Sequence, residues 1–372
     1  MSEMVKAMVR VGASQMEMRE YPMPGVPEDA ALMKVVVAGI CGTDVKMYKK
    51  PQKNEHVIMG HENIGYIAKA GKLFTERQGV KEGDLVFVEH YVTCMQCEWC
   101  HKGEYRHCAS TDWRHNANAI RYGYTSCESA PHLWGGFAEY MYLPWNAVLH
   151  RVPKGVSPEL AGIVTPMANG IEWALFDCGV GYNSSVLIQG PGQQGMAQTV
   201  ACKQAGASCI IVTGTAKDVK RLEVAKKLGA DYTINVSEED PLERITEITG
   251  GIGVDVSLEC TSGAGTIPVM LGVEALKRKG GTILLQGELA EFPNFPLGKA
   301  TVKWITFKSA RGHGYRSCEL ALEQLASDRF PLDLVTTHTY PLEEADTAVR
   351  AVAGEISEDV VHVSLLPHGP VH

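Results

Sequence analysis

Four of the eleven cysteines, Cys94, Cys97, Cys100 and Cys108, fall within fifteen residues as C-x2-C-x2-C-x7-C. That spacing suits four thiolates around one tetrahedral zinc, in a segment too polar for a cluster of buried thiols to be the better explanation. Four protein thiolates fill the coordination sphere and leave no position for water or substrate, so this ion clamps a loop and performs no chemistry. A second group stands earlier, in Cys41-Gly42-Thr43-Asp44 and Gly60-His61-Glu62. Cys and His are zinc ligands, and a neighbouring carboxylate either coordinates or tunes the metal from behind. On these residues alone two readings stay open: a metal site, or His61 as a hydrogen-bonded core imidazole and Cys41 as a small buried hydrophobe.

A third group is the run Val186-Leu187-Ile188-Gln189-Gly190-Pro191-Gly192-Gln193-Gln194-Gly195, whose glycines stand at G-x-G-x-x-G spacing. Gly190 permits a tight turn, Gly192 lets backbone approach a pyrophosphate, and Gly195 lets helix and strand pack closely, with the helix N-terminus left to bind the anion. Gln193 and Gln194 inside the turn, and Thr261 and Gln286 further on, complete the candidate cofactor contacts. Where an acidic residue would hold the 2′-hydroxyl of NAD, after Ile210-Ile211-Val212-Thr213, the chain has Gly214. Thr215, Lys217 and Arg221 follow and offer a hydroxyl and positive charge to a 2′-phosphate, so the reading favours NADP over NAD.

These groups need two kinds of scaffold. Up to about residue 155 the pattern is short alternating strands, at Leu32–Ala38, Ile64–Ala70, Asp84–Val88 and Phe137–Leu143, an all-β texture. From about Glu159 apolar strands alternate with helices: strands at Ser185–Gln189, Cys209–Val212, Val254–Glu259 and Thr282–Gln286, and helices at Gly195–Ala205, Val219–Leu228 and Thr266–Arg278. This is a βαβ series, so the fold class is α/β with a β-rich first part. A helix near Cys318–Leu325 precedes a last strand near Val360–Leu366, which needs a sheet to join and is expected to return to the first domain. The segment Ala109–Trp134 is long and carries Trp113, His115, Arg121, Tyr122, Tyr124 and Trp134, the makings of an active-site cover or an interface.

At 372 residues the chain suits two domains. A net charge of -8 argues against nucleic acid as a partner. No apolar run approaches the length needed to span a bilayer and Met1–Arg10 has no leader-like apolar core, so a cytoplasmic location is expected. Cysteines spread over both halves fit a reducing compartment.

Six motifs occur here in the order found in zinc-containing medium-chain alcohol dehydrogenases. They are Cys41-Gly42-Thr43-Asp44, Gly60-His61-Glu62, Val80-Lys81-Glu82-Gly83-Asp84, the four-Cys lobe, Gly135-Gly136-Phe137-Ala138-Glu139-Tyr140 and the glycine turn. Over essentially its whole length the chain resembles that family, on the branch of polyol, glucose and threonine dehydrogenases. The resemblance implies a GroES-like catalytic domain over 1–162, with the structural zinc lobe at about 90–110, a Rossmann cofactor domain over 163–307, and a return to the catalytic domain over 308–372. It implies homodimers or homotetramers, a small-molecule alcohol or carbonyl substrate, and one catalytic zinc beside the structural one. The expected ligands are Cys41, His61 and Glu62 with a water, because Thr165 takes the place where the family has a third ligand. A weak or empty site is the rival. Thr43 would be the first hydroxyl of a proton relay, and Lys46 stands where many relatives place a His. The implied reaction is reversible NAD(P)-linked oxidation of a secondary alcohol or polyol to the ketone, or of a primary alcohol to the aldehyde. The alternatives are a reductase of the same fold without catalytic zinc, acting with NADPH on an enone or carbonyl, and a zinc-binding module that is not an enzyme.

Overall fold

Alternating polar and apolar residues in the first part of the chain build strands β1 (Met4–Gly12), β2 (Gln15–Pro22), β3 (Ala31–Ile40), β4 (Val57–Ile58), β5 (Glu62–Ala70), β6 (Leu85–Val92), β7 (Tyr140–Leu143) and β8 (Ala147–Arg151). The computed structural model describes residues 3–52, 56–112, 116, 118–286, 291–357 and 359–370. β1 pairs antiparallel with β2 and with β4 in a three-stranded sheet. β3 is buried along its whole length except at Lys34, and it pairs antiparallel with β5 and β7. β5 continues to β6 and β6 to β8.

The second part holds β9 (Ser185–Gln189), β10 (Cys209–Gly214), β11 (Tyr232–Asn235), β12 (Val256–Glu259), β13 (Thr282–Leu285) and β14 (Thr306–Ser309). All pairings are parallel, in the order β11-β10-β9-β12-β13-β14. That is the doubly wound order 3-2-1-4-5-6, with its switch point between β9 and β12 where dinucleotides bind. The central strand β9 has Val186, Leu187 and Ile188 without exposure, as a strand covered on both faces requires. Each such side chain contributes about 1.5–3 kcal/mol by leaving water.

The chain then adds β15 (Thr336–Pro341) and β16 (His362–Leu366). β16 pairs antiparallel with Ala38–Ile40 of β3 and parallel with β15, closing a seven-stranded sheet in the order β15-β16-β3-β5-β6-β8 with β7 beside β3. One unit therefore comprises residues up to Thr165, Gly314–Ser327 and those from Thr336 onward; the other comprises Pro166–His313 and Asp328–Val335. Strands β1, β2, β4, β8, β11, β14 and β15 lie beyond those read from the sequence, and β7 begins at Tyr140, three residues after the expected start at Phe137. No helix among the described residues is long and apolar enough to cross a membrane.

One buried charge locks the first unit near its candidate metal ligands. Arg10 is fully buried on β1, and its Nε and Nη2 donate to the carbonyls of Met47 and Lys50, 2.8 and 2.9 Å away. These are the C-terminal carbonyls of the helix Gly42–Lys49, which otherwise lack intrahelical donors.

Candidate functional site

Cys41 is the N-cap of the helix Gly42–Lys49, and His61 and Glu62 sit where the chain enters β5. All three side chains are buried, and one ligand atom from each lies within 4.8 Å of the others. Two short stretches twenty residues apart in sequence are brought together because Gly39 on β3 pairs with Glu62 on β5. Thr43 N–H donates to Cys41 Sγ at 3.2 Å, and Cys41 N–H donates to Asp44 Oδ2 at 3.0 Å, so the helix cap itself orients the thiol. The other oxygen of the fully buried Asp44 lies 3.3 Å from His61 Nδ1. This aims His61 Nε2 at Cys41 Sγ, 3.0 Å away.

A buried thiol, imidazole and carboxylate without a cation form a costly set. Glu62 Oε2 has no hydrogen-bond partner among the described residues, and His362 Nε2 lies 3.7 Å from it. Burial pushes the Cys41 thiol up. Burial works against a charged His61, yet the Asp44 carboxylate and Cys41 outweigh it and hold the ring well above its ordinary range. An unpartnered carboxylate oxygen, a thiol and an oriented imidazole on one point are the donor set of zinc, with a carboxylate behind the histidine as metal-binding imidazoles commonly have.

The four-Cys lobe follows β6. Cys97 Sγ to Cys100 Sγ is 3.5 Å, Cys108 Sγ to Cys94 Sγ 3.6 Å and Cys94 Sγ to Cys100 Sγ 3.9 Å. A tetrahedron with Zn–S bonds of about 2.3 Å has edges of roughly 3.8 Å, so these three separations are close to those a zinc ion would need. None is in a disulfide. Cys94 is drawn down to about 6, backbone N–H groups of Gln96 and Cys97 overcoming the opposing effect of burial, while burial and Cys97 push Cys100 up to about 12. The lobe packs on Tyr91, Tyr105 and Val148, which ties it to β6 and β8.

In the second unit Gly190 has φ +98° and Gly195 lies so close that a Cβ would stand 2.0 Å from Gly190 O. Only glycine lets the helix Gln193–Gln204 begin against β9 in this way. Gly192 caps that helix without a side-chain hydrogen bond, and a Cβ there would meet nothing within 4 Å. Gln193 Oε1 and Gln194 Oε1 are buried without partners. A helix N-terminus behind an open glycine is an arrangement that could receive a diphosphate.

Comparison with known proteins supplies the family. Residues 27–154 match the alcohol dehydrogenase GroES-like domain, and residues 195–327 match the zinc-binding dehydrogenase domain. The chain is 34% identical over 356 residues to a probable alcohol dehydrogenase of Mycobacterium tuberculosis, covering 94% of this chain and 95% of that one. The chain belongs to the zinc-containing medium-chain alcohol dehydrogenase family. It is 33% identical over 373 residues to a sorbitol dehydrogenase of Bacillus subtilis, covering 98% of each. Its fold superposes on an alcohol dehydrogenase from Thermus sp. ATN1 with a TM-score of 0.81 at 27% identity, covering 97% of this chain and 99% of that one. As a member of this family the protein is an oxidoreductase, with a GroES-like domain and a Rossmann-type parallel sheet.

Against that family the remaining candidates fall into place unevenly. Thr165 opens a buried helical stretch, and its Oγ1 has no hydrogen-bond partner. Thr43 and Lys46 are exposed on the helix that Cys41 caps. At the end of β10, Gly214 is closely packed by Asp218 and Pro191. Thr215 donates from both N–H and Oγ1 to Asp218 Oδ2, at 2.9 and 2.8 Å, and Arg221 Nη1 donates to Asp218 Oδ1 at 2.8 Å. Lys217 is exposed. A carboxylate thus stands four residues past the end of the strand, among the Thr215, Lys217 and Arg221 that sequence reading offers to a 2′-phosphate. Thr261 is turned inward, its N–H donating to Glu259 Oε1 at 2.7 Å and its hydroxyl to the same oxygen, and Gln286 Oε1 is without a partner. Within the long segment, Trp113 and His115 lie outside the described residues. Tyr122 and Trp134 are core residues of the first unit, and the Tyr124 ring lies 5.3 Å from that of His61. Asp218 and His362 are the neighbours of candidate residues that sequence reading assigns no task, whereas Asp44 is a carboxylate of the Cys41 motif itself.

Proposed function

We propose that the chain is a zinc-dependent, NAD(P)-linked dehydrogenase that oxidises a secondary alcohol or polyol to the ketone, or a primary alcohol to the aldehyde, reversibly. The observation that carries this reading is the buried convergence of Cys41, His61 and Glu62, with Glu62 Oε2 left unpaired. Zinc held by these three residues supplies a Lewis acid to the substrate oxygen. The protein's own part is to hold and move protons around it. Cys41, whose burial favours the thiol, gives up its proton only as the metal arrives, which makes metal uptake pH-dependent. Asp44 fixes the His61 ring so that Nε2 is free for coordination. Exposed Thr43, at the first turn of the same helix, is the group that passes the substrate proton outward. His362, 3.7 Å from Glu62 Oε2, would receive that carboxylate if it turned away from a bound metal. Thr165 supplies no charge, and the ligand set is complete without it.

NADP is the proposed cofactor. Gly214 and the cationic Lys217 and Arg221 support it, while the Asp218 carboxylate opposes it and is partly neutralised by Arg221. Exposed Leu297, Val302 and Trp304 beside the edge strand β14 support a homodimer or homotetramer. The test is an absorbance assay at the nicotinamide band with polyols, cyclic secondary alcohols and hydroxy amino acids under each cofactor. Turnover is expected with at least one of these classes, with higher kcat/KM for NADP. Lys217→Ala with Arg221→Ala should cut that preference by about tenfold, the size of one or two charge-assisted contacts. Equal use of both cofactors by the native protein would remove the NADP assignment; no turnover of any alcohol would remove the reaction.

A further inference from the structure

The residue that the reaction above leaves unused is Arg121. It is 7% exposed, yet its guanidinium has no hydrogen bond or ion pair with any described residue, and Nε is buried without an acceptor. Its contacts are two rings: Cζ lies 4.9 Å from the Tyr91 ring centroid and 4.6 Å from that of Tyr124. Aromatic faces attract the cation but accept none of the in-plane N–H bonds that a guanidinium offers. A buried arginine normally has a carboxylate or several carbonyls.

Its position is fixed by backbone. Arg121 bridges antiparallel to Tyr91 at the end of β6, Tyr122 N–H donates to His90 O at 2.9 Å, and Val92 N–H to Ile120 O at 3.4 Å. Gly123, at φ +81°, passes so close to the metal ligands that a Cβ would lie 2.9 Å from Gly60 O and 3.2 Å from His61 Cβ. The rings continue the path: Tyr124 lies 5.3 Å from His61, and His90 lies 5.6 Å from His61 and 3.8 Å from Tyr91. His61, Tyr124, Arg121, Tyr91 and His90 form a closed circuit of neighbours, with the guanidinium one ring away from a candidate zinc ligand.

We propose that Arg121 is a substrate-anchoring residue: it binds an oxyanion, a carboxylate or phosphate, carried by the alcohol whose hydroxyl goes to the Cys41, His61 and Glu62 site. This rests on the dehydrogenase reading and narrows its substrate class to hydroxy acids or alcohol phosphates. A guanidinium gives two parallel hydrogen bonds to either oxyanion, and a site built around it rejects a neutral analogue because the donors then stay unpaired.

The test compares 3-hydroxybutyrate, its methyl ester and glycerol phosphate on the zinc-loaded full chain, by titration calorimetry and by NADP-linked oxidation, in the native protein, Arg121→Lys and Arg121→Met. At least one anion should bind at least tenfold more tightly than the ester and show a correspondingly higher kcat/KM; the better anion identifies the group. Arg121→Met should bring the ratio close to one, chiefly through KM, and Arg121→Lys should retain part of it. The ligand-free Arg121→Met protein should melt no lower than the native one, since it loses an unpaired buried charge, whereas a merely structural arginine would melt lower. If Arg121→Met does not fold, Arg121→Lys carries the comparison. Equal handling of acid, phosphate and ester by the native protein, or an anion preference that survives Arg121→Met, overturns the proposal. Oxidation of neutral alcohols without anion preference would do so while leaving the dehydrogenase reading standing. Anion binding that depends on Arg121, without oxidation of any alcohol, would support the anion site and contradict the reaction.

Discussion

His61→Ala should lower alcohol oxidation by about a thousandfold while leaving the chain folded and the lobe zinc in place. The substitution removes one of the three proposed protein ligands, and Thr165 brings only a neutral hydroxyl in its place. Loss of a Lewis acid takes away several kcal/mol of transition-state stabilisation, and each 1.36 kcal/mol is roughly tenfold in rate. Two further consequences follow from the geometry. Without the imidazole, Asp44 is a buried carboxylate that still accepts from Cys41 N–H but has no cationic neighbour at 3.3 Å, so some stability is lost as well. Metal analysis separates the two effects: zinc should fall by one equivalent with the far-ultraviolet circular dichroism unchanged. A His61→Ala protein with native zinc content and native turnover would show that the triad is a core cluster.

The largest effect on stability should come from the lobe. Cys97→Ser weakens the donor set and also removes the sulfur that accepts from Cys100 N–H at the start of the helix Glu98–His101. Zinc-binding free energy is folding free energy for such a loop, and loss of a ligand costs several kcal/mol. On a protein of this size that lowers the melting temperature by roughly 5–10 °C. The thiols left behind should become reactive, because the backbone N–H groups of Gln96 and Cys97, which the substitution keeps, favour the Cys94 thiolate against the opposing effect of burial. Thermal unfolding and thiol titration measure both. An unchanged melting temperature with one zinc lost would mean that the lobe is held by Tyr91, Tyr105 and Val148 alone.

The lobe and the glycine turn are legible in the sequence because each is made by residues close together in the chain, where spacing is geometry. The parallel sheet is legible for a similar reason: short apolar strands such as Val186–Ile188 alternate with helices, and burial on both faces demands that pattern. β2 and β15 are harder to read, because their burial alternates only between exposed and partial and their sequences are largely polar. The neighbours of the metal ligands are hidden in another way. Asp44 faces His61 only because β5 brings residue 61 beside the helix cap, and His362 reaches Glu62 only because β16 lies next to β3. Asp218 is legible as an acid but not as a cap, since its bonds to Thr215 and Arg221 depend on the turn after β10. Arg121 looks like an ordinary loop arginine until β6 pairs with its segment.

The most direct measurement of the central claim is zinc content and NAD(P)-linked alcohol oxidation followed together during dialysis against a chelator. Four thiolates would enclose a lobe ion, whereas an ion held by Cys41, His61 and Glu62 would keep an open position and should leave first. The account predicts that zinc falls from two equivalents per chain to one, that activity disappears in step with the first equivalent, and that added zinc restores it. Full activity with only the lobe zinc remaining would contradict it.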